Sequence, residues 1–344
     1  MSKRFVTFGE IMLRLKSPGY DRLFQNGLLE ATFGGGEANV AVSLANFGLP
    51  SAFVTVLPDN CLGDACIREL RGFNVDTRHI LRAGGRMGIY FLETGSNQRP
   101  SKVVYDRAHS AIGEADKESF DWRAVFSNAC WLHITGITPA ISQNAADMSI
   151  QAAKTAKEMG IHVSLDLNYR KNLWKYGKAA QDVMPLIMPH VDTVIANEED
   201  FQMTLGITAG EHDVDRGEID PDAYREIARQ AMERFPNVSR VAVTLRQSYS
   251  ADRNLWQACL YNGSEFLLSR RYELNDIVDR VGGGDSFSGG LIYGLNSYQE
   301  DRDALEFAVA ASCLKHTIPG DYNRVSVREA EALMKGSGSG RVQR

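Results

Sequence analysis

The chain has 344 residues, 44% of them hydrophobic and 24% charged, and a formal net charge of -5, which fits a soluble globular protein of one large or two ordinary domains. No basic block supplies the electrostatic footprint of a nucleic-acid binder, and no stretch approaches the roughly 18 apolar residues of a membrane helix. The N-terminus enters a strand-like run at once, without the apolar core of a signal peptide. The five cysteines, Cys61, Cys66, Cys130, Cys259 and Cys313, are scattered and form no CxxC, so they read as buried thiols of a cytoplasmic protein.

In chain order, short apolar runs predict strands at 5–8, 52–57, 131–135, 162–167, 193–196 and 240–245. Helical patterns at 38–47, 65–71, 144–159, 180–188 and 223–235 fall between them. Such alternation describes βαβ units on a buried, mostly parallel sheet. Two stretches break the rhythm. Residues 87–93 and 102–107 read as a pair of alternating strands, and residues 11–33 lack a helix pattern; together they suggest a small β layer projecting from the main sheet. Runs at 255–261 and 265–271 flank Asn262-Gly263, a hairpin signal. Helical patterns follow at 286–295 and 304–315. An acidic, Gly-containing loop is expected at 208–222, and a flexible tail at 336–344 after a single domain of 1–335.

Four motifs bear on chemistry. In Val281-Gly282-Gly283-Gly284-Asp285-Ser286 three glycines run into a helix. Glycines bring backbone N–H groups close to an anion, and the helix end adds unpaired N–H groups and a positive dipole. A carboxylate in that first turn, Asp285, is placed to accept a proton from an attacking hydroxyl; a plain glycine turn is the alternative. The segment Phe33-Gly34-Gly35-Gly36-Glu37-Ala38-Asn39 also leads from glycines into a helix but lacks the third glycine of the dinucleotide fingerprint. Asp166, Asn168 and Arg170 share one face if their strand continues, at a carboxyl edge where α/β sheets bind ligands. Asn197-Glu198-Glu199-Asp200 offers carboxylates for water-mediated Mg²⁺, or simply an acidic helix start. There is no P-loop, zinc spacing or nucleophile elbow.

Taken together, Gly35-Gly36-Glu37-Ala38-Asn39-Val40-Ala41 and Asp279-Arg280-Val281-Gly282-Gly283-Gly284-Asp285 resemble the two signatures of the ribokinase-like (PfkB-type) carbohydrate kinases, in order and about 245 residues apart. The Asp166–Arg170 segment, the Leu314–Asp321 run and the Gly-Asp-Ser-Phe form of the second signature are similar to those of 2-keto-3-deoxygluconate kinases. The resemblance implies an α/β ribokinase-like fold: a central mostly parallel sheet flanked by helices, with a β lid from about 11–33 and 86–108. It implies ATP-dependent phosphorylation of a small sugar acid, 2-keto-3-deoxygluconate at its 6-hydroxyl, with Asp285 as base and an anion hole at Gly282, Gly283 and Gly284. Substrate contacts are implied at Gly35, Tyr90, Tyr105, Arg107 and Arg170, and Gly36 and Asn39 join them. Nucleotide contacts are expected from Asn168, Asn197, Thr244, Gly282 and Gly284. The resemblance also implies Mg²⁺ bridging the phosphates, with Asp200 acting through water, and a monovalent cation near Asp279. A homo-oligomer formed through the lid is also implied.

Four positions depart from the family pattern. Gly283 stands for Ala, Arg280 for Thr beside the cation site, Asp200 for Glu, and Arg246-Gln247-Ser248 for a glycine-bearing nucleotide loop. Arg107 and Arg170 favour a sugar acid, because buried guanidinium groups facing a neutral sugar lack a charge partner. A neutral-sugar kinase for fructose or ribose remains an alternative, as does a non-catalytic sugar-responsive binding protein.

Overall fold

The computed structural model describes residues 3–208 and 221–336. The expected acidic loop at 208–222 and tail at 336–344 therefore fall largely outside the described residues; at the loop's far end, helix Pro221–Arg234 has already begun.

Fourteen strands are present among the described residues. They are β1 (Arg4–Phe8), β2 (Met12–Lys16), β3 (Glu30–Gly34), β4 (Ser51–Pro58), β5 (Ile80–Ala83), β6 (Ile89–Glu93), β7 (Lys102–Asp106), β8 (Ala129–Thr135), β9 (His162–Asp166), β10 (Thr193–Ala196), β11 (Arg240–Ser248), β12 (Asn254–Tyr261), β13 (Phe266–Leu268) and β14 (Tyr272–Leu274). The main sheet runs β13-β12-β11-β10-β9-β8-β1-β4-β5, with β14 on β12. From β11 to β5 every pairing is parallel, whereas β12 to β14 add antiparallel pairs. Strand β4 shows why: all its residues, Ser-Ala-Phe-Val-Thr-Val-Leu-Pro, are buried, as a strand covered on both faces requires.

A separate sheet runs β3-β2-β6-β7. Its edge strand β7 is exposed along its whole length. Met12, Tyr90 and Leu92 from this sheet form a small apolar cluster against Val281, the residue before the glycine triplet. The projecting layer expected from sequence is thus a four-stranded sheet anchored beside the second motif.

Helix Gly283–Ser297 lies between helix Gly36–Asn46 and helix Asp301–Lys315, and glycines make this possible. A Cβ at Gly289 would come 2.6 Å from that of Ser43, and one at Gly294 would come 2.6 Å from the Cα of Ala304. Close backbone approach fixes where the N-terminus of helix Gly283–Ser297 emerges, at the carboxyl edge of the sheet. All five cysteines are free; Cys66 and Cys259 are buried as expected, but Cys61 is exposed.

Candidate active site

Gly282 caps helix Gly283–Ser297 in the left-handed region, with φ 80°. The Ser286 N–H closes the first helical bond onto the Gly282 carbonyl, and the Gly283 N–H reaches back to Arg280 at 3.3 Å. Gly284 and Asp285 keep N–H groups without a backbone acceptor. Gly284 is exposed, and a Cβ there would touch nothing within 4 Å. An open, positively polarised helix end therefore faces the crevice. At Gly283 a Cβ would come 2.6 Å from the His316 ring, so the glycine standing for Ala leaves room for a buried imidazole.

The two glycine motifs meet here. Asn39 Nδ2 donates to Asp285 Oδ2 at 2.7 Å, and Asn39 Oδ1 of the same side-chain amide accepts from the Gly35 N–H at 3.3 Å. Gly36 faces the same carboxylate; a Cβ on it would be 3.6 Å from Asp285 Oδ1. A single amide thus links the first loop to the proposed base. Desolvation pushes the Asp285 carboxyl up to about 6; the Asn39 bond opposes this, Asp321 adds to it, and Arg170 and Lys315 oppose it. Such a group is still ionised at neutral pH and basic enough to accept a hydroxyl proton. Since only the ionised form is a base, kcat/KM should fall about tenfold per pH unit below an inflection near pH 6. A profile flat to pH 5 would show an ordinary carboxylate.

Glu37, between these motifs, is fully buried. Its Oε1 accepts from the Thr135 N–H, the Thr135 hydroxyl and the Thr138 hydroxyl at 2.7–3.1 Å. Burial raises it to about 7 despite those bonds. The sequence offered only its place in the first motif as a signal.

At the end of β9 the expected strand face does not form. The strand stops at Asp166, and Asn168 turns into the left-handed region with φ 37°, so period-two alternation does not carry Arg170. The three residues nevertheless stay at the crevice. Burial, with Asp200 and Asp285 nearby, raises Asp166 well above the usual carboxylate range; Asn168 and Ser288 lie 3.5 and 3.4 Å from its Oδ2. Arg170 is exposed, and its only recorded bond is to its neighbour's carbonyl, Tyr169 O. Arg246, itself exposed, lies near both Arg170 and Arg280: partial desolvation, then Arg280 and Arg170, lower its pKa. The arginine where a glycine-bearing loop was expected therefore helps make a cationic wall, a fitting lining for a triphosphate.

Asp200 is chiefly a helix cap. Its oxygens accept from the N–H groups of Tyr169 and Asn197, at 2.9 and 3.0 Å, and Asn197 returns a bond to the Asp200 N–H. Thr244 bonds weakly to Ala196 O at 3.4 Å. Among the described residues no group of three or more His, Cys, Asp or Glu is placed to hold a metal, so Mg²⁺ fits here only as a companion of nucleotide phosphates.

The lid departs further from expectation. Tyr90 is buried and donates to Asp321 Oδ1 at 2.7 Å, so its hydroxyl is committed to the protein. Tyr105 is 47% exposed. Arg107 pairs with buried Glu10 and stacks over the Tyr105 ring at 5.5 Å. The argument from two buried arginines without a carboxylate partner thus does not hold as stated: Arg107 is paired with Glu10, and Arg170 is exposed rather than buried. Glu10 keeps its Oε1 unpartnered.

Below the glycine triplet lies a buried ionic cluster that the sequence reading missed. The Arg14 guanidinium bridges Asp279 and Asp321. Asp279 Oδ1 also accepts from the Val281 N–H, and its Oδ2 from the Gly320 N–H. Lys315, wholly buried, donates to the Asp279 carbonyl at 3.2 Å. A carboxylate so engaged, flanked by two protein cations, is a poor ligand for a monovalent ion.

An open helix N-terminus beside a carboxyl of raised pKa, with a second sheet on one side, is an arrangement suited to a small-molecule phosphotransferase. The chain matches the pfkB family carbohydrate kinases over residues 2–327 and belongs to that family; it is a sugar kinase. It is similar to a 2-dehydro-3-deoxygluconokinase from Thermotoga maritima, known from its crystal structure, at 48% identity over 98% of this chain and 99% of the other, with a TM-score of 0.91. It is 31% identical to a 2-dehydro-3-deoxygalactonokinase from Haloferax volcanii over 99% of each chain. A 2-dehydro-3-deoxygluconokinase from Bacillus subtilis is 27% identical over 94% of this chain and 93% of its own.

Proposed function

We propose that this kinase transfers the γ-phosphoryl group of ATP to the 6-hydroxyl of 2-keto-3-deoxygluconate. The observation that carries the reading is Arg170, a guanidinium that is exposed and makes no ion pair among the described residues, yet lies near enough to Asp285 for its charge to act on that carboxyl. The names of the relatives support the substrate. Asp285 takes the hydroxyl proton, while Asn39 holds its carboxylate toward the first glycine loop. The N–H groups at Gly284 and Asp285, with Arg246 and Arg280 behind them, face the charge that develops on the transferred group. Mg²⁺, bound through the phosphates and water, would neutralise part of that charge; in this reading Asn168, Asn197, Thr244 and Asp200 belong to the nucleotide side. In the same reading Gly35, Gly36, Asn39, Tyr105 and Arg170 belong to the sugar side, with the four-stranded sheet as a lid that excludes water.

One observation favours a second substrate: the Haloferax relative is named for the galactonate epimer. ADP release with both epimers, with fructose and ribose, and with an analogue whose carboxylate is reduced to an alcohol decides among them. Arg170→Leu should weaken sugar-acid binding roughly tenfold to hundredfold, the worth of a charge-assisted bond, and the reduced analogue far less. Equal loss for both ligands, with ATP affinity measured alongside, would assign Arg170 to the scaffold or the nucleotide. A wild type preferring a neutral sugar would remove the sugar-acid reading.

We also propose a cytoplasmic homo-oligomer joined through the lid. Tyr20, Phe24, Leu28, Val103 and Val104 expose apolar side chains on that sheet and its loops, more than a lone surface residue explains. Sedimentation of wild type against Val104→Glu reads it.

A further inference from the structure

The buried cluster under the glycine triplet contains more positive charge than a cation-activated site has room for. Two protein cations, Arg14 and Lys315, face two carboxylates, Asp279 and Asp321, so the cluster is neutral by itself. Arg14 is 1% exposed and Lys315 is fully buried. Each arm of the cluster holds a different piece of the site. Asp279 opens the loop that leads to Gly282, and Lys315 ends helix Asp301–Lys315, whose Ser312 hydroxyl bonds the Gly283 carbonyl at 2.7 Å. The backbone carbonyl of Asp321 packs against Gly282, where a Cβ would meet it at 2.1 Å. Arg14 comes from β2 of the lid.

The ammonium of Lys315 meets the backbone carbonyl of Asp279 beside paired acidic groups. A backbone oxygen next to carboxylates is what a small monovalent cation seeks, and here a tethered ammonium already fills that role. A second, free cation would have to enter a dry space beside Arg14 and Lys315, against repulsion weakly screened by the interior. The monovalent ion expected near Asp279 therefore does not fit these residues.

We propose that the Lys315 ammonium is the resident cation of this site, holding the 279–282 loop and residue 321 so that the anion hole is formed without any added alkali ion. Lys315 touches no substrate; it is a positioning residue. This rests on the reading of Gly282 to Asp285 as the phosphoryl-transfer apparatus.

Two measurements test it. The first uses wild type in potassium, sodium or tetramethylammonium chloride at equal ionic strength, with ADP release and the thermal midpoint as readouts. Both should be the same in all three salts. A saturable activation by potassium of threefold or more, or a midpoint raised by potassium alone, overturns the proposal. The second uses Lys315→Met, which keeps the apolar stem and removes the charge. Its kcat should fall at least tenfold in tetramethylammonium and recover in part with potassium or ammonium chloride, and its midpoint should rise with the same ions. A variant as active as wild type in tetramethylammonium, or folded and inactive but indifferent to every cation, also overturns it. If the variant does not fold, the wild-type salt series alone decides. Failure of the kinase reading looks different: no ADP appears from wild type in any salt, while the midpoint comparison still reports on Lys315.

Discussion

Asp285→Asn should lose about 10² to 10⁴ in kcat while binding sugar nearly as well as wild type, because the amide keeps the shape of the carboxylate but cannot accept a proton. The site makes this a clean substitution. Asn39 donates to Asp285 Oδ2, and the new amide oxygen can accept that bond. The first loop should then stay in place, and calorimetry with the sugar should report little change. Removing a carboxylate whose charge is costly in this desolvated place should also leave the protein no less stable. The low-pH limb described above should disappear from whatever activity remains. Turnover within tenfold of wild type would take Asp285 out of the reaction, and lost sugar binding would make it a scaffold residue.

Gly282→Ala should be nearly as damaging, by another route. Gly282 has φ 80°, a region that costs a residue with a Cβ about 1–2 kcal/mol. The new methyl would also lie 2.1 Å from the Asp321 carbonyl oxygen, a backbone atom that cannot swing aside, and overpacking of that kind costs about 1–3 kcal/mol. The chain must relieve the overlap by moving the helix end or the 320–322 segment. Either shift misplaces the N–H groups beside Asp285, where one misaligned donor is worth roughly 10² to 10³ in kcat. A lower thermal midpoint and a fallen kcat should appear together. Gly284→Ala is the control, since its Cβ meets nothing within 4 Å and alanine favours a helix; its midpoint should equal or exceed that of wild type. Equal midpoints for Gly282→Ala and wild type would mean the left-handed cap is not needed.

Much of this enzyme is legible in one dimension because its determinants are local. Buried parallel strands announce themselves as unbroken apolar runs, as in β4, and glycines followed by a helix pattern mark the two loops that meet at Asp285. Asp285 stands out as a candidate because it follows three glycines in a first helical turn, although an acidic residue there also suits a plain helix start. The strand β5 and the short helices Ala111–Glu114 and Trp122–Val125 carry too few residues for a period to show.

What only the tertiary structure decided is pairing across long separations. Nothing near Arg107 in sequence indicates that Glu10 takes its charge, 97 residues away. Tyr90 is a plausible sugar contact by position, yet its hydroxyl belongs to Asp321 across 231 residues. Arg14 and Lys315 lie in apolar patterns and look like ordinary solvated charges, until folding brings Asp279 and Asp321 to them. Charge compensation depends on distances of a few ångströms in a dry interior, and those distances are set by how the lid strand, the glycine loop and the last long helix pack together. Sequence thus pointed to the groups proposed for the chemistry, and the packing of distant segments determined which charges are paired within the protein.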